Sequence, residues 1–369
     1  MASQHPSVHR TAVAPGAIGQ RRNKRHEFLV WWREIDRVLL VLVLLLMAIG
    51  AAAVAAASPA SARRLSTSAT RLDDLHFFVL HLRWMAVGLM AMFGASSLPK
   101  ESARRFGVVL AFAMLIALML VPVIGTNVNG SKRWLNFGIS FQPSEFMKPA
   151  FAIALAWILS WRIRDPNLPV IAIATGFMGL LAALLMLQPD FGSTVLFGGV
   201  FFVLILLAGI AVKRIALLVG GGIVGIVATY FLYDNARHRI DNFLGGGQAY
   251  DQVDLAHRAI TAGGWTGTGL WLGIRKLALP EAHTDYIFSV IGEEFGLLVC
   301  MVIVLLYVAI VVRVLLRLVD DEDLFTVLAG TGLTAQLGGQ AFINILVNLR
   351  LFPSKGMTLP LISYGGSST

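Results

Sequence analysis

Charge is what this chain has least of. Asp, Glu, Lys and Arg make up 14% of its 369 residues, against about 25% in a soluble globular domain. The shortfall runs along the whole chain, which is 57% hydrophobic with a mean hydropathy of +0.74. An ordinary soluble fold is thereby excluded, and an all-α polytopic membrane protein is implied. Cysteine is nearly absent. Cys300 stands alone in an apolar run, so no intrachain disulfide exists and the thiol reads as packing. The eight histidines form no HExxH and no Cys/His cluster, which argues against a structural zinc site. The glycines lack the strand–turn–helix context of a Walker A or dinucleotide fingerprint. No internal repeat is strong enough to propose inverted transporter halves. The net charge of +9 does not indicate nucleic acid, because the bases sit in short clusters between apolar runs, as in cytoplasmic loops.

Apolar runs fill the rest. Residues 1–36 form a basic tail, and residues 37–369 a single membrane domain. The first span, "RVLLVLVLLLMAIGAAAVAAA", is long enough to cross a core of about 30 Å. The "AAASPASA" behind it resembles a signal-peptidase site, but the run exceeds a usual signal core, so an uncleaved span is expected. Further spans are expected at 77–97, 106–124, 144–161, 168–188, 191–211, 214–233, 286–312 and 324–348. A tenth opens near 357 with "LPLISYGGSST" and should continue past Thr369. Lys100, Arg104 and Arg105, then Arg162 and Arg164, then Lys213 and Arg214, then Arg313 and Arg317 mark one set of loops as cytoplasmic, with the N-terminus inside. The opposite face then holds 58–76, 125–143, 188–190, 234–285 and 349–356, the longest of them between spans seven and eight.

Polar residues that survive in or beside the spans gather toward that outer face. An ionisable group at the bilayer centre costs about 2.5–3.5 kcal/mol at least, so its retention calls for a reason. In "NVNGSKRWLNFGISFQPSEFMKPA" (127–150), Asn127, Asn129 and Gly130 form turns and Ser144 is a plausible N-cap. Glu145 and Lys148 are spaced to pair on one helix face. Lys132, Arg133 and Trp134 read equally as interfacial anchors. In "QPDFGST" (188–194), Asp190 can cap the next helix. In 250–285, Gly263, Gly264, Gly267 and Gly269 permit tight turns and close backbone approach, and Arg258, Arg275 and Lys276 could meet an anion or remain solvated. Asp285 sits at a helix mouth. Glu293 and Glu294 follow about 12–14 Å further along, about 100° apart, so they should not face one partner; one of them should hold a buried base. Arg350 and Lys355 flank a last outer loop, followed by a small, hydroxyl-rich stretch.

"KRWLNFGISFQPSEFMKPA", "QPDFGST", "LPEAHTDYIFSVIGEEFG" and "PSKGMTLPLISYGGSS" together resemble the SEDS family (shape, elongation, division and sporulation) of bacterial polytopic glycosyltransferases. They lie in the family's order over about 240 residues. The match leans toward the division member, with the elongation member as alternative. The resemblance implies ten spans in the cytoplasmic (inner) membrane of a bacterium, with the site facing outward. It implies polymerisation of lipid II into β-1,4 glycan strands by an inverting glycosyltransferase during septal wall synthesis. Partners would be a class B penicillin-binding protein, which supplies transpeptidase activity, and other division proteins. The aspartate of "AHTD" maps to Asp285, expected as general base on the acceptor 4-hydroxyl. Arg133, Lys148, Arg258, Lys276, Arg350 and Lys355 are the expected stabilisers of the leaving diphosphate. Glu145, His283, Ser363 and Ser367 complete the candidate substrate contacts. "YDQVDLAHRAITAGGWTGTG" departs from the family's commoner serine-rich version at His257 and Arg258. No cofactor is required by any motif, and a divalent cation (Mg or Mn) on the diphosphate is compatible with the chemistry. A lipid II flippase or transporter would also use intramembrane charges, but would bring them to the midplane and open a path to both sides. A non-catalytic division scaffold would tolerate loss of Asp285.

Overall fold

The computed structural model describes residues 24–365 except 67–70, 129–130, 137, 139, 166, 211, 234–236, 238–239, 242–243, 246–251 and 355. Two compact units divide the chain, residues 1–37 and residues 38–369. The first carries α1 (Lys24–Glu34). The second contains nearly all the rest: α2 (Arg37–Leu65), α3 (His76–Ser96), α4 (Lys100–Ile124), α5 (Pro143–Arg164), α6 (Val170–Leu187), α7 (Phe191–Leu207), α8 (Val212–Leu232), α9 (Gln252–Gly263), α10 (Ile287–Leu318) and α11 (Leu324–Asn348). Among the described residues, α2, α3, α4, α5, α6, α8 and α10 are long and apolar enough to cross a membrane, seven in all. Two of the expected spans differ in kind: α7 has only 17 residues, and α11 carries buried Gln336, Gln340, Asn344 and Asn348.

Three elements depart from the sequence expectation. α2 does not end before "SPASA" but runs 29 residues to Leu65. Pro59 lies inside it and has no N–H, so the Ala55 carbonyl loses its donor four residues on. Trp271 Nε1 donates to that carbonyl instead, at 3.2 Å, which lets the helix continue. Between α4 and α5 the chain forms a small antiparallel sheet, β1 (Thr126–Val128), β2 (Ser131–Asn136) and β3 (Ser140–Phe141), in the order β1-β2-β3. Residues 357–365, where a tenth span was expected, form turns rather than a helix. There the Ser363 hydroxyl accepts from Leu359 N at 2.7 Å and closes the turn.

Two apolar clusters hold the bundle. One joins α2, α9, α10, the end of α11 and Leu359 and Ile362. The other joins α4, α5, α6, α7 and the start of α11, where Phe325, Leu328 and Ala329 are buried. α11 thus crosses from one cluster to the other, packing on α5 and α7 and on α10.

α10 spans 32 residues but is broken at Gly296, whose φ of 82° and ψ of 175° suit glycine alone. The break opens two helical hydrogen bonds, from the N–H groups of 297 and 298 to the carbonyls of 293 and 294. All four groups are re-paired by one segment, residues 264–269. Leu297 N donates to Gly264 O at 3.0 Å and Leu298 N to Trp265 O at 3.2 Å. Thr268 N and Gly269 N donate in turn to the carbonyls of Glu293 and Glu294, at 2.9 and 3.0 Å. The glycine-rich loop therefore works by close backbone approach, as its composition suggested.

A Cβ on Gly296 would stand 2.4 Å from both Gly267 N and Trp265 O. Gly296→Ala is expected to lower the thermal unfolding midpoint in detergent by about 5–10 °C, or to leave no folded protein. An unchanged midpoint would contradict the re-pairing.

Candidate active site

The loop that repairs the α10 break continues into a buried electrostatic clasp. Glu294 accepts from the backbone N–H of Trp271 (2.6 Å) and Gly273 (3.3 Å), and pairs with Lys276 Nζ. Glu293 accepts from the N–H of Arg275 (2.6 Å) and Lys276 (2.8 Å). Lys276 Nζ also donates to the Ala56 carbonyl of α2 at 2.8 Å. The two carboxylates therefore do share a partner, contrary to the expectation from helical geometry. The loop presents successive N–H groups around the broken helix, so side chains about 100° apart can both reach it. As expected, one of the pair, Glu294, holds a buried base.

This clasp leads to Asp285, half-buried in the turn before α10. Three consecutive carbonyls there are each held by a different group. Tyr364 N donates to His283 O at 2.9 Å and Ser363 Oγ to Thr284 O at 2.7 Å. The side-chain amides of Asn344 and Asn348 donate to Asp285 O at 2.8 and 3.2 Å. Asn348 Oδ1 in turn accepts from Ser289 N and Oγ, at 3.2 and 2.6 Å. Gln340 and Asn344 hold the returning segment through the carbonyls of Thr358 (2.9 Å) and Met357 (2.6 Å). That segment brings Gly356 against the Asp285 carboxylate, where a Cβ would lie 3.0 Å from Oδ2. The fold thus fixes the backbone of Asp285 while its carboxylate lies at the surface end of the bundle, among loops.

His283 is buried, with Nδ1 2.8 Å from Ser61 Oγ of α2 and its ring packed on Phe77 and Tyr364. Burial lowers its pKa to about 4, against a smaller upward pull from Glu281, so it is neutral at pH 7 and adds no charge to the site.

The expected cations fall into groups. Lys148 pairs with both oxygens of Glu145 at 2.7 Å and is buried. Lys276 is spent on Glu294, and Ser363 is buried with both of its hydrogen bonds internal. These three act inside the protein in this structure. Arg258 and Arg350 converge on Asp254, at 2.8 and 3.3 Å, with the Arg258 contact one of charge rather than an aligned hydrogen bond. Arg133 donates to the carbonyls of Gln188 (3.0 Å) and Pro189 (2.6 Å), which ties the β-sheet to the "QPDFGST" turn. No described carboxylate neutralises it. In that turn Asp190 caps α7 by accepting from Ser193 N at 3.1 Å, as expected. Ser144 does not cap α5. Pro143 takes the first helical position, Gln142 precedes it, and the Ser144 hydroxyl is buried without a partner. Lys355 and Ser367 lie outside the described residues.

Sequence reasoning passed over Asn344 and Asn348, the donors nearest Asp285. Their trace was present: Gln336, Gln340, Asn344 and Asn348 recur every fourth residue in an otherwise apolar span, which places them on one helix face.

A bundle of long apolar helices with a fixed polar site at one end defines a multi-pass membrane protein. The family model for FtsW, RodA and SpoVE, described as cell cycle protein, matches residues 36–369, and the chain belongs to that family. It is 38% identical to the probable peptidoglycan glycosyltransferase FtsW of Caulobacter vibrioides (strain NA1000 / CB15N), over 94% of this chain and 88% of the relative. The probable peptidoglycan glycosyltransferase FtsW of Aromatoleum aromaticum (strain DSM 19018 / LMG 30748 / EbN1) is 35% identical, over 79% and 75%. Among solved structures, a chain from work on how a peptidoglycan synthase complex coordinates polymerization and crosslinking is 26% identical. It superposes with a TM-score of 0.73, covering 91% of this chain and 93% of that one. The rod shape determining protein RodA of Thermus thermophilus is 25% identical with a TM-score of 0.66, covering 91% and 92%.

Lys276→Met leaves Glu294 charged and buried without its cation, and Glu294→Gln does the converse. Each is expected to cost about 3–5 kcal/mol. The double variant should lose less than the sum, by about 1–3 kcal/mol, in denaturant unfolding followed in detergent. Strict additivity would show that the pair is not the unit that holds the loop.

Proposed function

We propose that this chain is a peptidoglycan glycosyltransferase that polymerises lipid II at the division septum. The observation that carries the reading is Asp285. Its backbone is held by Asn344 and Asn348 of α11, and its carboxylate rests against Gly356 at the end of the bundle. Similarity to proteins named FtsW at 35–38% identity, above the 25% to RodA, favours division over elongation.

The N-terminus lies in the cytoplasm and the Asp285 end faces outward, an orientation supported by the basic loops at the other end. The membrane is the bacterial inner membrane. Asp285 takes the proton from the acceptor sugar's 4-hydroxyl as the oxygen attacks the anomeric carbon of the donor. The bond from that carbon to the diphosphate breaks on the opposite face, and the polyprenyl diphosphate leaves with the electron pair. Attack from the far side converts an α-linked donor into a β-1,4 product. Arg133, whose charge no described acid neutralises, is the leading candidate to stabilise the leaving group's developing negative charge, and Arg258 and Arg350, both paired with Asp254, would supply a second, partly compensated positive edge. Lys148 and Lys276 contribute by holding α5 and the 271–276 loop rather than by meeting the diphosphate. Among the described residues no three His, Cys, Asp or Glu side chains converge as a metal cage. A Mg or Mn ion in this reaction would be carried by the diphosphate oxygens, a mode magnesium favours. A class B penicillin-binding protein is the partner that cross-links the product, a pairing supported by the relative found in a complex that couples the two activities.

Asp285→Asn removes the base and keeps the shape. Purified variant supplied with lipid II should form glycan at least about 100-fold more slowly than wild type, with an unchanged unfolding midpoint. Polymerisation at the wild-type rate would rule out the general-base role.

A further inference from the structure

The last two turns of α2 and the end of the 271–278 loop flank an open cleft of about 500 Å³, lined by Ala60, Arg63, Arg64, Leu277 and Ala278. Neither arginine belongs to the machinery described above. We propose that Arg63 and Arg64 form a binding site for a phosphate or diphosphate carried on a lipid. The proposal rests on the transferase reading only for which lipid is preferred.

The shape fits such a group. Ala60 and Ala278 contribute only methyl groups, leaving space for a headgroup, and the half-exposed Leu277 offers an apolar wall. Both walls belong to one docked unit. Trp271 Nε1 and Lys276 Nζ bond the loop to the Ala55 and Ala56 carbonyls of α2, so the cleft is formed before any ligand arrives. Preorganisation of this kind lowers the cost of binding.

The charge also fits. Lys276, next to Leu277, is neutralised by Glu294, so the positive charge of the cleft is that of the two guanidiniums. Arg63 stands 3.9 Å from Asp74, and both side chains are mostly exposed, a pairing that contributes little. Arg64 is exposed and pairs with no described residue. Two adjacent guanidiniums present the forked donors that phosphate oxygens accept.

Depth is the third line. From Arg37 to Arg64 α2 rises about 40 Å, close to the roughly 40–45 Å of a bilayer with both headgroup layers. Arg63 and Arg64 therefore stand at the level of the outer phosphates. They are one turn from Ser61, which bonds His283, two residues ahead of Asp285. A lipid phosphate held here would lie at the same end of the bundle as Asp285. Arginines in a final helical turn also complement the helix dipole, but that role is worth only about 0.3–1 kcal/mol and requires no cleft.

The test compares wild type with the double variant Arg63→Gln/Arg64→Gln in neutral phosphatidylcholine nanodiscs. Binding of a polyprenyl diphosphate and of phosphatidylglycerol is read by native mass spectrometry. Unfolding midpoints confirm that both proteins are folded, and the single variants replace the double if it is not. Affinity for polyprenyl diphosphate should fall about tenfold or more, the loss expected for charge-assisted bonds. A loss confined to the polyprenyl diphosphate identifies a substrate subsite. A loss confined to phosphatidylglycerol, or equal for both, identifies a general lipid-phosphate site. Unchanged affinity for both in folded protein overturns the proposal. No turnover is measured, so failure of the cleft is separable from failure of the transferase reading.

Discussion

The structure depends on an exchange of hydrogen bonds at Gly296. A helix broken inside an apolar bundle exposes backbone groups that have no water to turn to, and such groups cost several kcal/mol each if left unpaired. Here the two N–H groups and two carbonyls freed by the break are all re-paired by residues 264–269. The exchange fixes the middle of the long 234–285 connection against α10. Glu293 and Glu294, at the break itself, then take up the next N–H groups of the loop and the Lys276 ammonium. A feature that would be a defect in an isolated helix becomes the anchor of the site.

The same constraint governs the other side of Asp285. The turn 279–286 and the segment 356–359 are irregular backbone at the end of the bundle, and their carbonyls need donors. α11 supplies them from one face, through Gln340, Asn344 and Asn348, and Ser363 supplies another. α11 also packs on α5, which carries the Glu145–Lys148 pair, so one helix ties the aspartate to the second group of polar motifs. Such rigidity would serve the base role proposed for Asp285, because proton transfer requires hydrogen-bond distance at the moment of attack.

Much of this was legible in the sequence, for a physical reason. Apolar runs bounded by basic clusters report spans and their direction without reference to packing, and most of the expected spans appear as helices. Pairings set by local spacing were also readable, as with Glu145 and Lys148 or Asp190 and the start of α7. What escaped depended on distant partners. Pro59 alone looks like a helix end, and only the Trp271 indole, 212 positions later in the chain, lets α2 continue. Glu293 and Glu294 looked divergent because a straight helix was assumed, whereas the loop wraps the break. The charge of Lys276 suggested an anion outside the protein, but its partner was an acid inside. Asn344 and Asn348 were hidden by the ordinary look of amides in a span, although their four-residue recurrence marked a face with something to hold.

The central claim is that this framework presents the Asp285 carboxylate to the hydroxyl that attacks. It is tested most directly by a cryo-electron microscopy structure of the chain with lipid II and a non-hydrolysable donor bound. The account places the acceptor 4-hydroxyl within about 3 Å of an Asp285 carboxylate oxygen, with the Asn344 and Asn348 bonds intact. An acceptor sugar seated more than one bridging water away from Asp285, or at the opposite end of the bundle, would contradict it.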